Sequence, residues 1–180
     1  MDELTRTALA ARDGDPAALG QFVRESQADV WRLTAHLVDR GSADDLTQEV
    51  YERVIKSLPA FRGDSSARTW LMAIARRTCI DTIRRRTRMR TREARLRALA
   101  VDGAAELNDH ELELRELLAP LDPDRRAAFV LTQLLGYGYA EAAEVCECPV
   151  GTIRSRVARA RAELVEVWND RSDGAGSAEC

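Results

Sequence analysis

The sequence predicts an all-α protein of two small helical domains joined by a flexible linker, the second domain containing a helix-turn-helix. Three observations lead to this prediction. The 180 residues include only 10 glycines and 5 prolines and are rich in strong helix formers. Apolar residues recur at helical spacing along most of the chain, without convincing strand alternation. The stretch ALAVDGAAELND, at 98–109, is small, acidic and glycine-containing, as interdomain linkers often are.

Local signals place two helices in the first sixty residues. Asp15 and Pro16 are the residue types of an N-cap and a first helical position, so a helix is predicted to begin there. Gly41 is expected to end that helix, because glycine is common just past a helix end. Ser42 is expected to cap the next helix, with Asp45 three residues later giving a start similar to a capping box.

A longer helix completes the first domain. The segment FRGDSS at 61–66 has the composition of a loop, and a helical pattern runs from about Ser66 through the arginine-rich segment 84–97. The first domain is therefore predicted to span residues 1–97, and the linker to span residues 98–110.

The second domain is predicted to span residues 111–170 and to be followed by a disordered tail at 171–180. Asp122 precedes a proline, which repeats the N-cap pattern, and Gly136 is expected to close the helix that begins there. Two further helices, YAEAAEVC and PVGTIRSRVARARAELVEVW, are separated by a short break. A short helix, a tight turn and a longer helix form a helix-turn-helix.

Charge is segregated along a chain whose net charge is only −3. Residues 61–100 contain 12 Arg against three acidic residues, and residues 149–161 contain four Arg and no acidic residue. Two basic segments in an otherwise acidic chain predict two separate contacts with a polyanion, most commonly nucleic acid. The alternative interpretation is two solvated helix faces.

Several function classes are excluded by what the sequence contains. The four Cys and two His have no zinc-binding spacing, and there is no Gly-rich phosphate loop or G-x-S-x-G motif. We therefore expect no metal, no cofactor and no enzymatic activity. No apolar run approaches 18 residues, and the first 15 residues lack the apolar core of a signal peptide. The sequence thus predicts a cytoplasmic protein without a membrane span.

The two basic segments differ in the kind of nucleic acid they suit. In the last helix, arginines are spaced so that some project from one face while Ile153, Val157 and Leu164 lie on the other, as in a helix that enters the major groove. In the segment 61–86, Phe61 and Trp70 accompany arginines, and aromatic rings beside arginines can stack on unpaired bases. The simpler interpretation of the two aromatic residues is that they belong to the core.

At this point the chain resembles the extracytoplasmic-function (ECF) sigma factors of bacterial RNA polymerase, with a further similarity to the actinobacterial sigma C branch. The resemblance rests on SADDLTQEVYERV (42–54), FRGDSSARTWLMAIARRTCIDTIRRR (61–86) and the segment 117–164, which includes CPVGTIRSRVARAR. Together these stretches cover about half of the chain, in the order typical of the family.

The resemblance implies roles for individual residues. The surface that docks on the β′ clamp helices of RNA polymerase matches Asp45, Leu46, Gln48 and Glu49. The loop and helix that bind the minus-ten promoter element match Phe61, Arg62, Gly63, Ser65, Ser66, Thr69, Trp70, Arg76, Arg77, Asp81 and Arg84. The readers of the minus-thirty-five element match Thr152, Arg154, Ser155, Arg156 and Arg159. Many members carry Asn where this chain has Arg77, so the family's minus-ten base preference is not carried over.

The implied partners are core RNA polymerase, through its β′ clamp helices and β flap, and promoter DNA in duplex and single-stranded form. Many family members are captured by an anti-sigma factor, which is a further candidate partner. We expect the free protein to bind promoter duplex weakly, because its acidic surfaces oppose nonspecific contact and its two readers are joined flexibly. A compact, self-inhibited free form is a further expectation.

Other function classes were weighed beside this resemblance. A stand-alone helix-turn-helix regulator would leave the 61–86 segment unexplained, and a pure interaction module would have no promoter-specific activity. Cys146 and Cys148 flank the turn of the helix-turn-helix, where a redox switch is conceivable, although Cys146 is more simply a small core residue.

Overall fold

The structure is a computed structural model that describes residues 1–96, Leu114 and residues 117–175. All regular secondary structure in these residues is helical. The helices of the first domain are α1 (Glu3–Arg12), α2 (Pro16–Leu37), α3 (Ala43–Ser57) and α4 (Ala67–Leu96), with 3-10 turns at Arg40–Ser42 and Leu58–Ala60. The predicted linker, 98–110, lies outside the described residues.

The described helices of the second domain are α5 (Pro123–Phe129), a π-helical turn (Val130–Leu134), α6 (Tyr139–Cys146) and α7 (Val150–Ala175). Helices α6 and α7 are the predicted helix-turn-helix. Helix α7 ends at Ala175, so it extends beyond residue 171, where the tail was predicted to begin. The rest of that tail lies outside the described residues.

Two predicted helix starts are confirmed. The carboxylate of Asp15 accepts hydrogen bonds from two backbone N–H groups in the first turn of α2, and Asp122 does the same for α5. Each cap is followed by the expected proline. Gly136 adopts φ +72° just past the π-helical turn, which is the left-handed conformation that glycine tolerates best.

The predicted junction between α2 and α3 is wrong in two details. Helix α2 ends at Leu37 rather than at Gly41, and Ser42 makes no side-chain cap to α3. Asp39 accounts for the difference, because its carboxylate accepts hydrogen bonds from the Ser42 backbone N–H at 2.8 Å and from the Ser42 hydroxyl at 2.6 Å. The serine hydroxyl is thereby held in the 3-10 turn, and its oxygen accepts a hydrogen bond from the Arg86 guanidinium at 2.7 Å rather than from an N–H of α3.

Helix α1 was not predicted from the sequence. Asp2 caps it by accepting a hydrogen bond from the Thr5 N–H at 2.9 Å, and Glu3 in the first turn and Arg12 in the last complement the helix dipole. Its small apolar face buries Ala8 against α2 and the rest of the first domain. The helix therefore forms one wall of that domain.

The two domains pack against each other. Buried residues of both, including Phe22 and Met72 from the first and Leu131 and Ile153 from the second, form one continuous cluster. At the boundary, the Arg126 guanidinium donates a hydrogen bond to the Leu37 carbonyl at 2.9 Å. This packing brings α4 of the first domain against α6 of the helix-turn-helix.

Candidate nucleic-acid interface

The loop at 61–66 leads into α4, and the side chains at the start of that helix serve as its cap. The Ser66 hydroxyl accepts a hydrogen bond from the Thr69 N–H at 3.1 Å, and the two hydroxyl groups lie 2.9 Å apart. Thr69 is buried. The predicted site residues Ser66 and Thr69 are therefore engaged in shaping the loop rather than exposed on it.

The aromatic pair lies beneath the loop. The Phe61 and Trp70 rings stack with centroids 4.6 Å apart and a 32° tilt, and Phe61 is only 4% exposed. In this conformation the Phe61 ring is a core residue, which was the simpler interpretation of the sequence. The exposed residues of the loop are Arg62 and Asp64, whose guanidinium nitrogen and carboxylate oxygen lie 3.1 Å apart. Gly63 and Ser65 are half-buried.

The predicted minus-ten residues of α4 face two directions. Arg76 and Arg77 form ion pairs with Asp124 and Glu147 of the second domain. Asp81 lies 3.6 Å from an Arg53 guanidinium nitrogen on α3, and Arg84 is exposed further along α4. The sequence pattern did not identify the two acidic partners, because the ion pairs join residues that are far apart in the chain.

Helix α7 presents the predicted duplex-reading residues on a single exposed face. Arg154, Ser155 and Arg159 are exposed and Thr152 is half-buried, while Ile153 and Val157 are buried on the opposite face. The Ser155 hydroxyl donates a hydrogen bond to the Thr152 carbonyl at 2.9 Å. This arrangement has the shape of a major-groove reading helix backed by its own core.

Arg156 is the partly covered member of the set. One guanidinium nitrogen lies 3.6 Å from the Asp124 carboxylate and another lies 3.6 Å from the Cys148 sulfur. Asp124 therefore contacts an arginine from each of the two predicted DNA-reading helices, Arg76 on α4 and Arg156 on α7. The Asp124 carboxylate thus pairs with both arginines, as a DNA phosphate could.

The turn between α6 and α7 is tight. Glu147 adopts φ +53°, in the left-handed region that a non-glycine residue enters at a cost of about 1–2 kcal/mol. The Cys148 N–H donates a hydrogen bond back to the Ala143 carbonyl at 3.0 Å, which satisfies an acceptor at the end of α6. The turn places the Glu147 carboxylate against Arg77.

The two cysteines of this turn differ in their environment. Cys146 is buried, and burial raises the pKa of its thiol to about 11, so the reactive thiolate is scarce at neutral pH. Cys148 is partly exposed beside Arg156. These surroundings agree with a core role for Cys146.

The predicted polymerase-docking residues lie on α3. Asp45 and Gln48 are exposed, and Glu49 is partly exposed and paired with Arg53 at 2.6 Å. These three side chains share a helix face because they are three and four residues apart. Leu46 is only 4% exposed and packs in the core, so it is not part of the exposed docking face in this conformation.

Within the residues that the structure describes, no His, Cys, Asp and Glu side chains are grouped as three or more metal ligands. None of the helices in this part of the chain is long and apolar enough to cross a membrane.

Comparison with protein families matches both halves of the chain. Residues 22–89 match the family model described as Sigma-70 region 2, and residues 111–164 match Sigma-70, region 4. The ECF RNA polymerase sigma factor SigC of Mycobacterium tuberculosis is 50% identical over 167 residues, which cover 91% of this chain and 90% of that protein.

Two solved structures share the fold. CnrH, in complex with the cytosolic domain of CnrY, has a TM-score of 0.75 and 26% identity and covers 94% of this chain and 99% of its own. The sigma factor RpoE, in complex with the anti-sigma factor NepR from Bartonella quintana, has a TM-score of 0.66 and 26% identity, covering 83% and 96%.

Proposed function

The chain belongs to the sigma-70 family as an ECF sigma factor of the sigma C branch, and from this premise we propose how its surfaces divide the task of promoter recognition. A sigma factor binds core RNA polymerase and directs it to promoters. The observation that carries the proposal is that α4 and α7, on separate domains, each expose arginines on one face and pack apolar residues on the other.

We assign duplex recognition of the minus-thirty-five element to α7. Its exposed Arg154 and Arg159 can each donate two hydrogen bonds to the O6 and N7 atoms of a guanine, which discriminates against the wrong base by about 1–3 kcal/mol. Thr152 and Ser155 lie near the start of the helix, and their hydroxyl groups can donate hydrogen bonds to phosphate oxygens. Arg156 joins this surface once it is released from Asp124.

We assign the minus-ten element to the loop at 61–66 and to the arginines of α4. The exposed face of the loop can hold an unpaired base, while Arg76, Arg77 and Arg84 contact the phosphates of the strand. Capture of an unpaired base offsets the free energy of unstacking it, so the protein favours open over closed promoter DNA. The stacking of Phe61 on Trp70 fixes the first residue of the loop in the core.

We assign polymerase docking to the exposed face of α3. Asp45, Gln48 and Glu49 form an acidic and polar surface that suits the β′ clamp helices. The second domain is expected to contact the β flap. The protein then acts in the cytoplasm as an adaptor: it binds and positions without catalysing a reaction of its own.

The contacts between the domains add a condition to this scheme. Asp124 and Glu147 pair with the same arginines that are assigned to the minus-ten element. Those arginines cannot pair with these carboxylates and with DNA phosphates at once. Polymerase binding is therefore expected to separate the two domains before DNA is bound, and the free protein is expected to bind DNA weakly.

Run-off transcription on a library of random promoter sequences tests the proposal. Core RNA polymerase from a related GC-rich bacterium is assayed with and without the protein, and protein-dependent transcripts are sequenced. We expect them to share two motifs at a fixed spacing. Polymerase binding without any responsive template would contradict the proposal, as would DNA binding without polymerase binding.

A further inference from the structure

Helix α1 contacts both ends of the loop that we assign to base capture. The Arg12 guanidinium donates a hydrogen bond to the Phe61 carbonyl at 3.2 Å, where the loop begins. The Ala67 N–H donates a hydrogen bond to the Thr5 hydroxyl at 2.9 Å, where the loop ends and α4 starts. Both donor–acceptor pairs join residues about 50 to 60 positions apart, so neither arises from local chain geometry.

The Thr5 hydroxyl is oriented to accept this bond. It donates its own proton to the Asp2 carboxylate at 2.6 Å, and Thr5 is only 3% exposed. The hydrogen bond from Thr5 lowers the pKa of Asp2, which therefore remains ionised and can only accept. With its proton committed to Asp2, the hydroxyl oxygen turns a lone pair toward the Ala67 N–H.

The Ala67 N–H requires such a partner. It is one of the first N–H groups of α4, which have no acceptor within the helix, and Ala67 is buried. The local cap does not supply one, because the Ser66 hydroxyl accepts from Thr69 instead. A buried donor left without an acceptor destabilises its surroundings by about 1–3 kcal/mol. The end of the loop is thus held in place by a side chain from another helix.

The middle of the loop lies near α1. Gly63 adopts φ +76°, and a Cβ atom built there would lie 3.6 Å from both methyl carbons of Leu9. The loop is therefore hydrogen-bonded to one helix at its beginning and its end, and a side chain added at its middle would meet Leu9 of the same helix.

We propose that α1 is a positioning element for base capture, with Thr5 and Arg12 as positioning residues that hold the loop in the shape that receives an unpaired base. The inference rests on the proposed function of the loop. A loop ordered before it meets DNA does not lose that conformational freedom when the base binds, so more of the binding free energy favours the open promoter. Neither residue needs to touch DNA.

The test uses holoenzyme assembled with core polymerase and compares Thr5→Val with Thr5→Ser. Valine keeps the approximate shape but removes the acceptor for Ala67, whereas serine retains it. Thr7→Val is the matched control, because the Thr7 hydroxyl bonds only to the Glu3 carbonyl within α1. Arg12→Ala is a second, more exposed variant that tests the other end of the loop if Thr5→Val fails to fold.

The readouts are polymerase affinity, the rate of open-complex formation on an intact promoter, and the same rate on a promoter already unpaired at the minus-ten element. We expect Thr5→Val to slow opening of the intact promoter about tenfold, as the loss of a buried acceptor predicts. Polymerase affinity should be unchanged, the pre-opened promoter should restore most of the rate, and Thr5→Ser and Thr7→Val should behave as the parent. Arg12→Ala should act in the same direction.

Failure of this inference and failure of the proposed function give different results. A combined Arg62→Ala and Ser65→Ala variant changes the loop face directly. If that variant slows opening while Thr5→Val and Arg12→Ala do not, α1 is not a positioning element. If the loop variant has no effect on opening or on minus-ten preference, the assignment of the loop itself is wrong. Equal losses for Thr5→Val and Thr7→Val, or a loss that follows polymerase affinity, would also overturn the inference.

Discussion

Helices α4 and α7 both contain arginines that we assign to DNA binding, but they differ in what those arginines contact within the protein. On α4, Arg76 and Arg77 are paired with carboxylates of the second domain. On α7, Arg154 and Arg159 are exposed, and only Arg156 approaches one of those carboxylates. Part of the surface assigned to the minus-ten element is therefore neutralised internally, whereas most of the surface assigned to the minus-thirty-five element is not.

If the proposed assignments hold, this difference predicts an order for the steps of promoter recognition. The exposed arginines of α7 can meet duplex DNA while the domains are still packed, whereas Arg76 and Arg77 of α4 are expected to become available only after the domains separate. An internal acidic partner also lowers the affinity of the free protein for DNA in general, since nonspecific binding is dominated by contacts with phosphates.

The largest expected effect comes from removing an exposed reader on α7. Arg159→Ala should reduce transcription from a cognate promoter by about 10- to 100-fold, because a bidentate arginine–guanine contact contributes about 1–3 kcal/mol of discrimination. The loss should be specific to one position of the minus-thirty-five element, which is measured by transcription from promoters with each base pair substituted.

Arg161→Ala is the matched control for that variant. Arg161 is an exposed arginine of the same helix, but it bonds to the Gln133 side chain at 2.5 Å. Its removal should weaken binding about equally on all sequences. If Arg159→Ala also weakens all sequences equally, Arg159 contacts phosphate and is not a base reader.

A smaller effect is expected from Asp124→Asn, which tests the internal neutralisation directly. The substitution weakens the contacts to Arg76 and Arg156 together, so the free protein should bind promoter duplex about threefold to tenfold more tightly, as the loss of partly buried ion pairs predicts. Fluorescence anisotropy with labelled duplex measures the affinity. Holoenzyme activity should change less, because polymerase binding is proposed to have separated the domains already.

Glu163→Gln controls for the change of charge. Glu163 has almost the same exposure as Asp124, 33% against 32%, and its partner, Arg125, lies in the same domain. Both variants raise the net charge by one. An equal gain in DNA affinity for Glu163→Gln would mean that total charge, not the pairing with α4, limits DNA binding.

The sequence predicts those structural features, such as helix caps, that depend on residues close together in the chain. Asp15 and Asp122 cap their helices because an N-cap needs only the next turn of chain. Ser42 does not cap α3, because its hydroxyl donates to Asp39 and its oxygen accepts from the distant Arg86 rather than from an N–H of the helix. Helix α1 was missed because it is short and its buried residues are small, although Asp2 is a suitable cap.

The features that the sequence does not predict are those that depend on packing between distant segments. The burial of Phe61 agrees with the simpler interpretation of its residue type, but its stacking on Trp70 is visible only in the structure. The pairing of Arg76 with Asp124 joins residues 48 positions apart. The basic segment is visible in the sequence, but its neutralising partners become visible only in the structure.

The smallest effects are expected from two substitutions of Glu147, which distinguish the contribution of its side-chain charge from that of its backbone conformation. Glu147→Gln removes the charge that pairs with Arg77, and because both side chains are more than half exposed, the free protein should gain only about twofold in DNA affinity. Glu147→Gly should produce the same gain and also stabilise the second domain by about 0.5–1 kcal/mol, because glycine adopts the left-handed conformation at this turn without strain. Thermal unfolding of the two variants measures the difference. If Glu147→Gly destabilises the domain, the side chain rather than the backbone holds the turn, and the closed arrangement of α4 and α6 depends on the Arg77 ion pair more than its exposure suggests.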